Sequence, residues 1–376
     1  MENPLLYVDI PCRSEIEKLV SSRASLCVTI YVRTTPVTQD IGASRIAFKN
    51  LSQQACEQLE AAGLPKREIS AINQSLEDVL DDDAFWATQA NSLAVFATPG
   101  SVATYRLANH VPDQVHVSDR FHLQPLLRAV TFPHNAFILV LSENGAALHQ
   151  LDASGEPVQL RVPDMPKSAA DSAGKASLND CSPSGRIHGS EGQNVRLRQY
   201  VRAVDQALRH VLAGQTRPLI IAATDPLASM FRQGTTYPHL APGEIKGNAE
   251  RMNAVELASA ARSVLDELYR TDVQAVKELY ARRSSEGRAT ADVAQAARAA
   301  TLGAIDTLLF DMDADETGTI SAEDGRVSFG AAGPHTYGIV DEIAGRALTS
   351  GARVMAVRKA DLPDGQMLAA VLRYPV

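Results

Sequence analysis

Cysteine is scarce in this chain: Cys12, Cys27, Cys56 and Cys181 are the four in 376 residues, and no two of them stand at C-x-x-C spacing. That excludes a disulfide framework and a cysteine zinc site, and leaves reduced, buried thiols as the expectation. No apolar run approaches the roughly 20 residues needed to span a bilayer. Glu2, Asp9 and Glu15 stand where a secretory leader would be basic and then apolar, so a cytoplasmic protein with no membrane partner is expected. Positive charge is not in excess: 36 Lys and Arg against 44 Asp and Glu give a net charge of −8, which argues against a surface that coats nucleic acid throughout. The G-x-S-x-G elbow, the G-x-x-x-x-G-K-[ST] phosphate loop and the G-x-G-x-x-G fingerprint are all missing. Triad hydrolases, NTPases and dinucleotide enzymes therefore have no anchor. His110, His116 and His122 lack short ligand spacing and read as surface or half-buried side chains, so neither a metal nor a cofactor is expected.

What is present is an ordinary globular composition, 45% hydrophobic and 21% charged, in a chain too long for one core. Residues 1–132 alternate helical and extended patterns. A short helix is expected over Glu15–Ser22 and a strand over Ser25–Thr34 with Val28, Ile30 and Val32 on one face. A turn over Thr35–Ala43 precedes helices at Ser52–Ala62 and Lys66–Leu80, and a hairpin closes around Pro99-Gly100-Ser101. Asp81 to Asp83 follow a helix and are read as caps of the next one. A second unit opens near Pro133 with strands at Ala136–Ser142, Ala146–Leu151 and Val158–Val162, and resumes after a long helix with a buried strand at Pro218–Ala223. Tyr237-Pro238-His239 reads as a turn at the next boundary. From about 246 the chain is Ala-rich and amphipathic, with helices at Val255–Leu268, Val273–Arg283, Thr290–Leu302 and Asp341–Thr349, and strands at Ile305–Asp311, Arg353–Val357 and Met367–Tyr374. Three α/β domains are expected, 1–132, 133–245 and 246–376.

The organising stretch is Gly189-Ser190-Glu191-Gly192-Gln193, at the end of a loop from 166 to 193 with too little apolar surface to offset the entropy of ordering it. The loop is expected to protrude and to be mobile. Behind it Leu197, Val201, Val204, Leu208 and Val211 trace one apolar helix face, with Asn194 as the expected N-cap and Gly214 as the stop. From Arg186 to Arg217 six arginines face Glu191 and Asp205, a local +4. The charges admit two readings: an RNA-binding patch, or ion pairs lacing a solvated face, with Asp205 three residues after Arg202 and four before Arg209. His188 could act as a base in some other hydrolase, but in such a loop is more often simply solvated. Asp313 to Asp324 has the spacing of a calcium loop, with Gly318 at its sixth position, but the strand-like Thr307–Asp311 and the glycine-rich 325–333 deny it flanking helices.

Gly192-Gln193 before an arginine-rich helix, with Ala136–Ser142 upstream and Gly303–Leu309 downstream, resembles the archaeo-eukaryotic peptide chain release factors and Pelota-type rescue proteins. The bacterial branch of that family is the nearer match, over about 133–376. The resemblance implies a multidomain α/β protein whose RNase H-like middle domain carries the tip and is followed by a C-terminal domain like the ribosomal proteins that bind kink-turn RNA. It implies a ribosomal site of action, with tRNA and rRNA as partners and room for a partner ATPase or GTPase. Glu191, Gly192 and Gln193 then align with a Gly-Gly-Gln tip that enters the peptidyl transferase centre, the first glycine being a carboxylate here. Arg186, Arg196, Arg198, Arg202 and Arg209 become the candidates for RNA contact. Two functions follow: hydrolysis of peptidyl-tRNA, or a non-catalytic RNA- or ribosome-binding rescue or regulatory module.

Overall fold

The computed structural model describes residues 7–9, 11–37, 40–133, 135–152, 157–172, 190–247 and 249–375, with the backbone alone at 190–193. The fold is α/β and divides into two compact units, Met1–Pro133 with Asp272–Val376, and His134–Thr271. Residues 246–271 join the middle unit because Leu257, Ala258, Ala261 and Leu265 fill one face of its sheet. The two terminal segments share one core, in which Tyr31 and Phe96 of the first meet Ile339 and Ile343 of the second.

In the first segment β1 (Cys27–Arg33), β2 (Ser92–Thr98), β3 (Ser101–Leu107) and β4 (Gln114–Ser118) form an antiparallel sheet of order β3-β2-β1-β4. Val28, Ile30 and Val32 pack on the helices Ile41–Ala61 and Lys66–Asp81, while Cys27 and Tyr31 alternate into the core shared with the C-terminal segment. The first of those helices starts well before Ser52, because Phe48, Leu51, Ala55 and Leu59 continue one buried face that Ile41 begins. Asp82 caps the short helix that follows, accepting the Phe85 N–H at 2.9 Å. Cys27 is buried, Cys56 half-buried and Cys12 exposed at the start of the helix Arg13–Ser21, so the expectation of buried thiols fails at Cys12; Cys181 lies outside the described residues.

The middle unit contains β5 (Ala136–Leu141), β6 (Ala146–Leu151), β7 (Val158–Leu160), β8 (Leu219–Ala223) and β9 (Leu240–Ile245) in the order β7-β6-β5-β8-β9. The first three strands meander antiparallel; β8 and β9 run parallel to β5. The unbroken apolar runs of β5 and β8 are explained by burial on both faces. Phe137, Leu139, Leu141, Leu219 and Ile221 pack on the helices Ser190–Leu212 and Leu227–Gly234. Ile138, Val140, Ile220 and Ala222 pack on the first half of the helix Ala254–Ser285. That helix is continuous where two were expected. Tyr237 sits inside this unit, its hydroxyl donating to the Arg217 carbonyl at 2.6 Å.

The C-terminal segment adds β10 (Ala289–Thr290), β11 (Ile305–Asp311), β12 (Thr317–Ile320), β13 (Val327–Phe329), β14 (Tyr337–Gly338), β15 (Arg353–Val357) and β16 (Leu368–Leu372). Its larger sheet has the order β10-β16-β11-β15, and β13-β12-β14 form a small one. The stretch that resembles a calcium loop is therefore partly extended. A Cβ on Gly318 would lie 2.3 Å from the Ser328 carbonyl oxygen, so glycine is required here by close strand pairing and not by a loop turn. Among the described residues no three His, Cys, Asp or Glu side chains are grouped to hold a metal, and no helix is long and apolar enough to cross a membrane. Calorimetric titration of the protein with calcium is expected to show no micromolar binding; a micromolar site lost in Asp313→Asn with Asp315→Asn would overturn this.

Candidate functional site

The helix Ser190–Leu212 begins one turn before Asn194, so that residue lies inside the helix and is not its N-cap. Glu191 and Gly192 lie among the first three helical positions, where backbone N–H groups have no intrahelical acceptor and a carboxylate is favoured by the helix dipole, and Gln193 is the fourth, where intrahelical bonding begins. Arg186 and His188 lie outside the described residues, as do the side chains of Glu191 and Gln193 and most of the expected loop. Its beginning is anchored: Met165 and Ala169 pack against the sheet core, and the Ala169 N–H donates to the Glu143 carbonyl at 2.9 Å.

Helix length sets the reach of this turn. Twenty-three residues span about 34 Å at roughly 1.5 Å per residue, twice the roughly 17 Å of a five-residue strand such as β8. The helix ends six residues before β8 begins, which ties its C-terminus to the start of that strand. The excess length therefore projects beyond the carboxyl ends of β5 and β8. Core contacts agree: residues 194–196 are exposed and Leu197 is the first helix residue in the core, followed by Tyr200, Val201, Val204, Leu208 and Leu212.

Four described arginines of the helix are exposed: Arg196, Arg198, Arg202 and Arg209. At about 100° per residue Arg198, Arg202 and Arg209 fall within about 40° of one another, while Arg196 stands about 160° from Arg198. They therefore form one three-residue stripe and one isolated cation, on opposite sides of the buried face. Arg217 lies beyond the helix and pairs with Asp152 at 3.2 Å.

Asp205 is not part of a solvated face; it is 5% exposed. Its Oδ1 accepts from Thr235 Oγ1 at 2.9 Å and from the Thr236 N–H at 3.1 Å, and its Oδ2 from Arg209 Nη2 at 3.0 Å. It thus ties the middle of the helix to the turn that leads into β9. Among the described residues Arg209 is the one arginine of the helix in an ion pair. Sequence reasoning missed this anchor because Thr235 and Thr236 are some thirty residues away along the chain.

It also missed Tyr200, although its position three residues after Leu197 places it on the apolar face. The Tyr200 hydroxyl is buried without a hydrogen-bond partner among the described residues. Burial, reinforced by the Glu250 carboxylate, pushes it up to about 12, so it stays protonated at neutral pH. Glu250 in turn accepts a short hydrogen bond from Ser142 Oγ at the end of β5.

Replacing Asp205 is expected to be costly, because it strands the Thr236 N–H and removes charge-assisted bonds worth about 1.5–3 kcal/mol each. Asp205→Ala should lower the denaturant midpoint of the middle unit by an amount equivalent to about 2–4 kcal/mol. Arg209→Ala, which removes a 58% exposed partner, should cost under about 1 kcal/mol. Equal effects of the two would show that the ion pair, and not the threonine anchor, carries the stability.

Comparison with known proteins bears on this unit. Residues 133–271 match the model of the bacterial archaeo-eukaryotic release factor family 11. No curated protein matches the chain. Similar solved structures include Dom34 of S. cerevisiae, at 12% identity over 74% of this chain and 75% of that one, with a TM-score of 0.41. A model of ribosome-bound archaeal Pelota and ABCE1 matches at 15% identity over 76% and 78%, with a TM-score of 0.40. The archaeal termination factor aRF1 matches at 16% over 97% and 99%, with a TM-score of 0.23. Residues 133–271, which hold the five-stranded sheet, the Glu191-Gly192-Gln193 turn and the arginine stripe, are thus similar to the bacterial archaeo-eukaryotic release factor family.

Proposed function

We propose that this protein is a translation termination or ribosome-rescue factor, with the Glu191-Gly192-Gln193 turn directed at the ester of peptidyl-tRNA. The observation that carries the reading is that the family match spans this turn at the overhanging end of the helix. We read the middle unit as RNase H-like on its strand order, and the C-terminal α/β segment as the ribosomal-protein-like domain. A partner NTPase belongs to the same reading.

Ester hydrolysis needs a positioned water and donors aimed at the charge that develops on the carbonyl oxygen. The first-turn N–H groups of Glu191 and Gly192, which have no intrahelical acceptor, supply such donors without any titratable group. Gly192 lets the backbone approach closely, and the Gln193 side chain would exclude nucleophiles larger than water. The stripe Arg198, Arg202 and Arg209 meets RNA phosphates, while Arg196 serves the other side; Arg186, a further candidate for RNA contact, lies outside the described residues.

Glu191 sets the competing reading. A carboxylate about 4 Å from a phosphate is opposed by on the order of 4 kcal/mol at an effective dielectric near 20, reduced by salt and exposure. A helix N-terminus returns only about 0.3–1 kcal/mol. That imbalance favours a non-catalytic rescue or regulatory module unless an arginine screens the charge.

A peptide-release assay on stalled ribosomes separates the two. Under the hydrolase reading wild type releases peptide, Gln193→Ala abolishes release and Glu191→Gly preserves or increases it. Release by none of the three, with ribosome binding retained, selects the non-catalytic module, and absence of ribosome binding sinks both. Co-sedimentation at several salt concentrations tests the stripe: Arg198→Ala and Arg202→Ala should each flatten the salt dependence by roughly 0.7–0.9 of a counterion per lost phosphate contact. Arg209→Ala, already paired to Asp205, should change it less.

A further inference from the structure

In the unit formed by the terminal segments, two imidazoles stack where the first sheet meets the helix Ile339–Thr349. His116 of β4 and His122 of the following connector lie with ring centroids 4.1 Å apart and planes 30° apart. Such a stack does not aim both rings at one point, so the pair is not a chelate. His122 Nδ1 is 3.4 Å from Asp341 Oδ2. The same oxygen accepts the Leu123 N–H at 2.7 Å, and Asp341 Oδ1 is buried without a partner among the described residues. The His122 N–H donates to Thr29 Oγ1 at 3.0 Å, and its carbonyl accepts from the Tyr31 hydroxyl at 2.9 Å.

The groups around His116 are few. Thr29 is opposite it on β1, and Gln114 Oε1 is 3.2 Å from its Nε2. His122 and, behind it, Asp341 are the titratable neighbours. The nearby Asp119, Arg120 and Glu342 are engaged with one another: Arg120 bonds Asp119 at 2.8 Å and Glu342 at 2.6 Å, and Arg23 reaches Glu342 at 3.2 Å. Tyr337 lies under the Arg120 guanidinium, with 3.4 Å from its carbon to the ring centroid.

We propose that the His116–His122 stack is a proton-operated latch, which holds residues 116–123 between β1 and the helix Ile339–Thr349 and releases them on acidification. Asp341 stands against His122, and among the described residues no carboxylate is paired with His116, so the closed segment resists a proton on His116 that the open segment accepts. Burial, reinforced by His122, pulls His116 from 6.5 down to about 3. The stabilisation from a neutral His116 is therefore complete above about pH 6.5 and is lost as pH falls from there towards 3. The opening equilibrium should rise up to tenfold for each pH unit in that window.

Amide hydrogen exchange of the full chain, read by NMR at His122 and Leu123, tests the latch. In wild type their protection factors should fall by up to tenfold per unit between pH 6.5 and 5, while those of β5 stay level. In His116→Gln, which keeps a polar side chain but takes no proton, the fall should vanish. Protection that does not change with pH in wild type, or that falls equally in His116→Gln, would overturn the latch. If that variant does not fold, the imidazole titration of wild type decides: His116 must stay neutral in the folded protein down to pH 5, and a midpoint near 6.5 rejects the proposal.

Discussion

Burial of β5 and β8 on both faces is the constraint on which the middle unit rests. Strands that are apolar at every position need a helical layer on each side, and the two layers here are the helix Ser190–Leu212 with Leu227–Gly234, and the first half of Ala254–Ser285. Among the described residues the sheet core takes up the first helix from Leu197 onward, and residues 194–196 before it are exposed. The overhanging turn thus follows from a mismatch in length between a helix and the strands beneath it, and the proposed site rides on that overhang.

Buried carboxylates then fix what apolar contact leaves adjustable. A buried charge is tolerated only when it is paired or hydrogen-bonded. Asp205 fastens the helix to Thr235 and Thr236. Glu342, with its side chain 6% exposed, gathers Arg23, Arg120 and Arg346 from three separate stretches of chain. Helix faces can slide by a residue at small hydrophobic cost, but such bonds cannot follow.

Much of this was legible. Repeats of three and four residues marked the tip helix, the hairpin around Pro99-Gly100 was found, and β11 and β15 lie where their apolar runs put them. Illegible were elements whose signal is short or mixed. β4 carries a histidine among its valines, β9 contains Pro242 and Gly243, and the helix from Ile41 begins in small residues that read as a turn. Asn194 sits where the apolar period starts, which marks a cap by sequence, yet the backbone is already helical from Ser190.

Local chemistry by itself determined which segments are helices and strands, which faces are apolar, and that Gly192-Gln193 lies beside an arginine-rich helix. Only the tertiary structure decided that Arg198, Arg202 and Arg209 stand apart from Arg196, that Asp205 is an anchor and not a surface charge, and that His116 lies on His122 beside Asp341. The reason is physical. Periodicity and propensity act within a few residues of chain, whereas the environment of a charged or titratable group is set by atoms brought together from tens to hundreds of residues away.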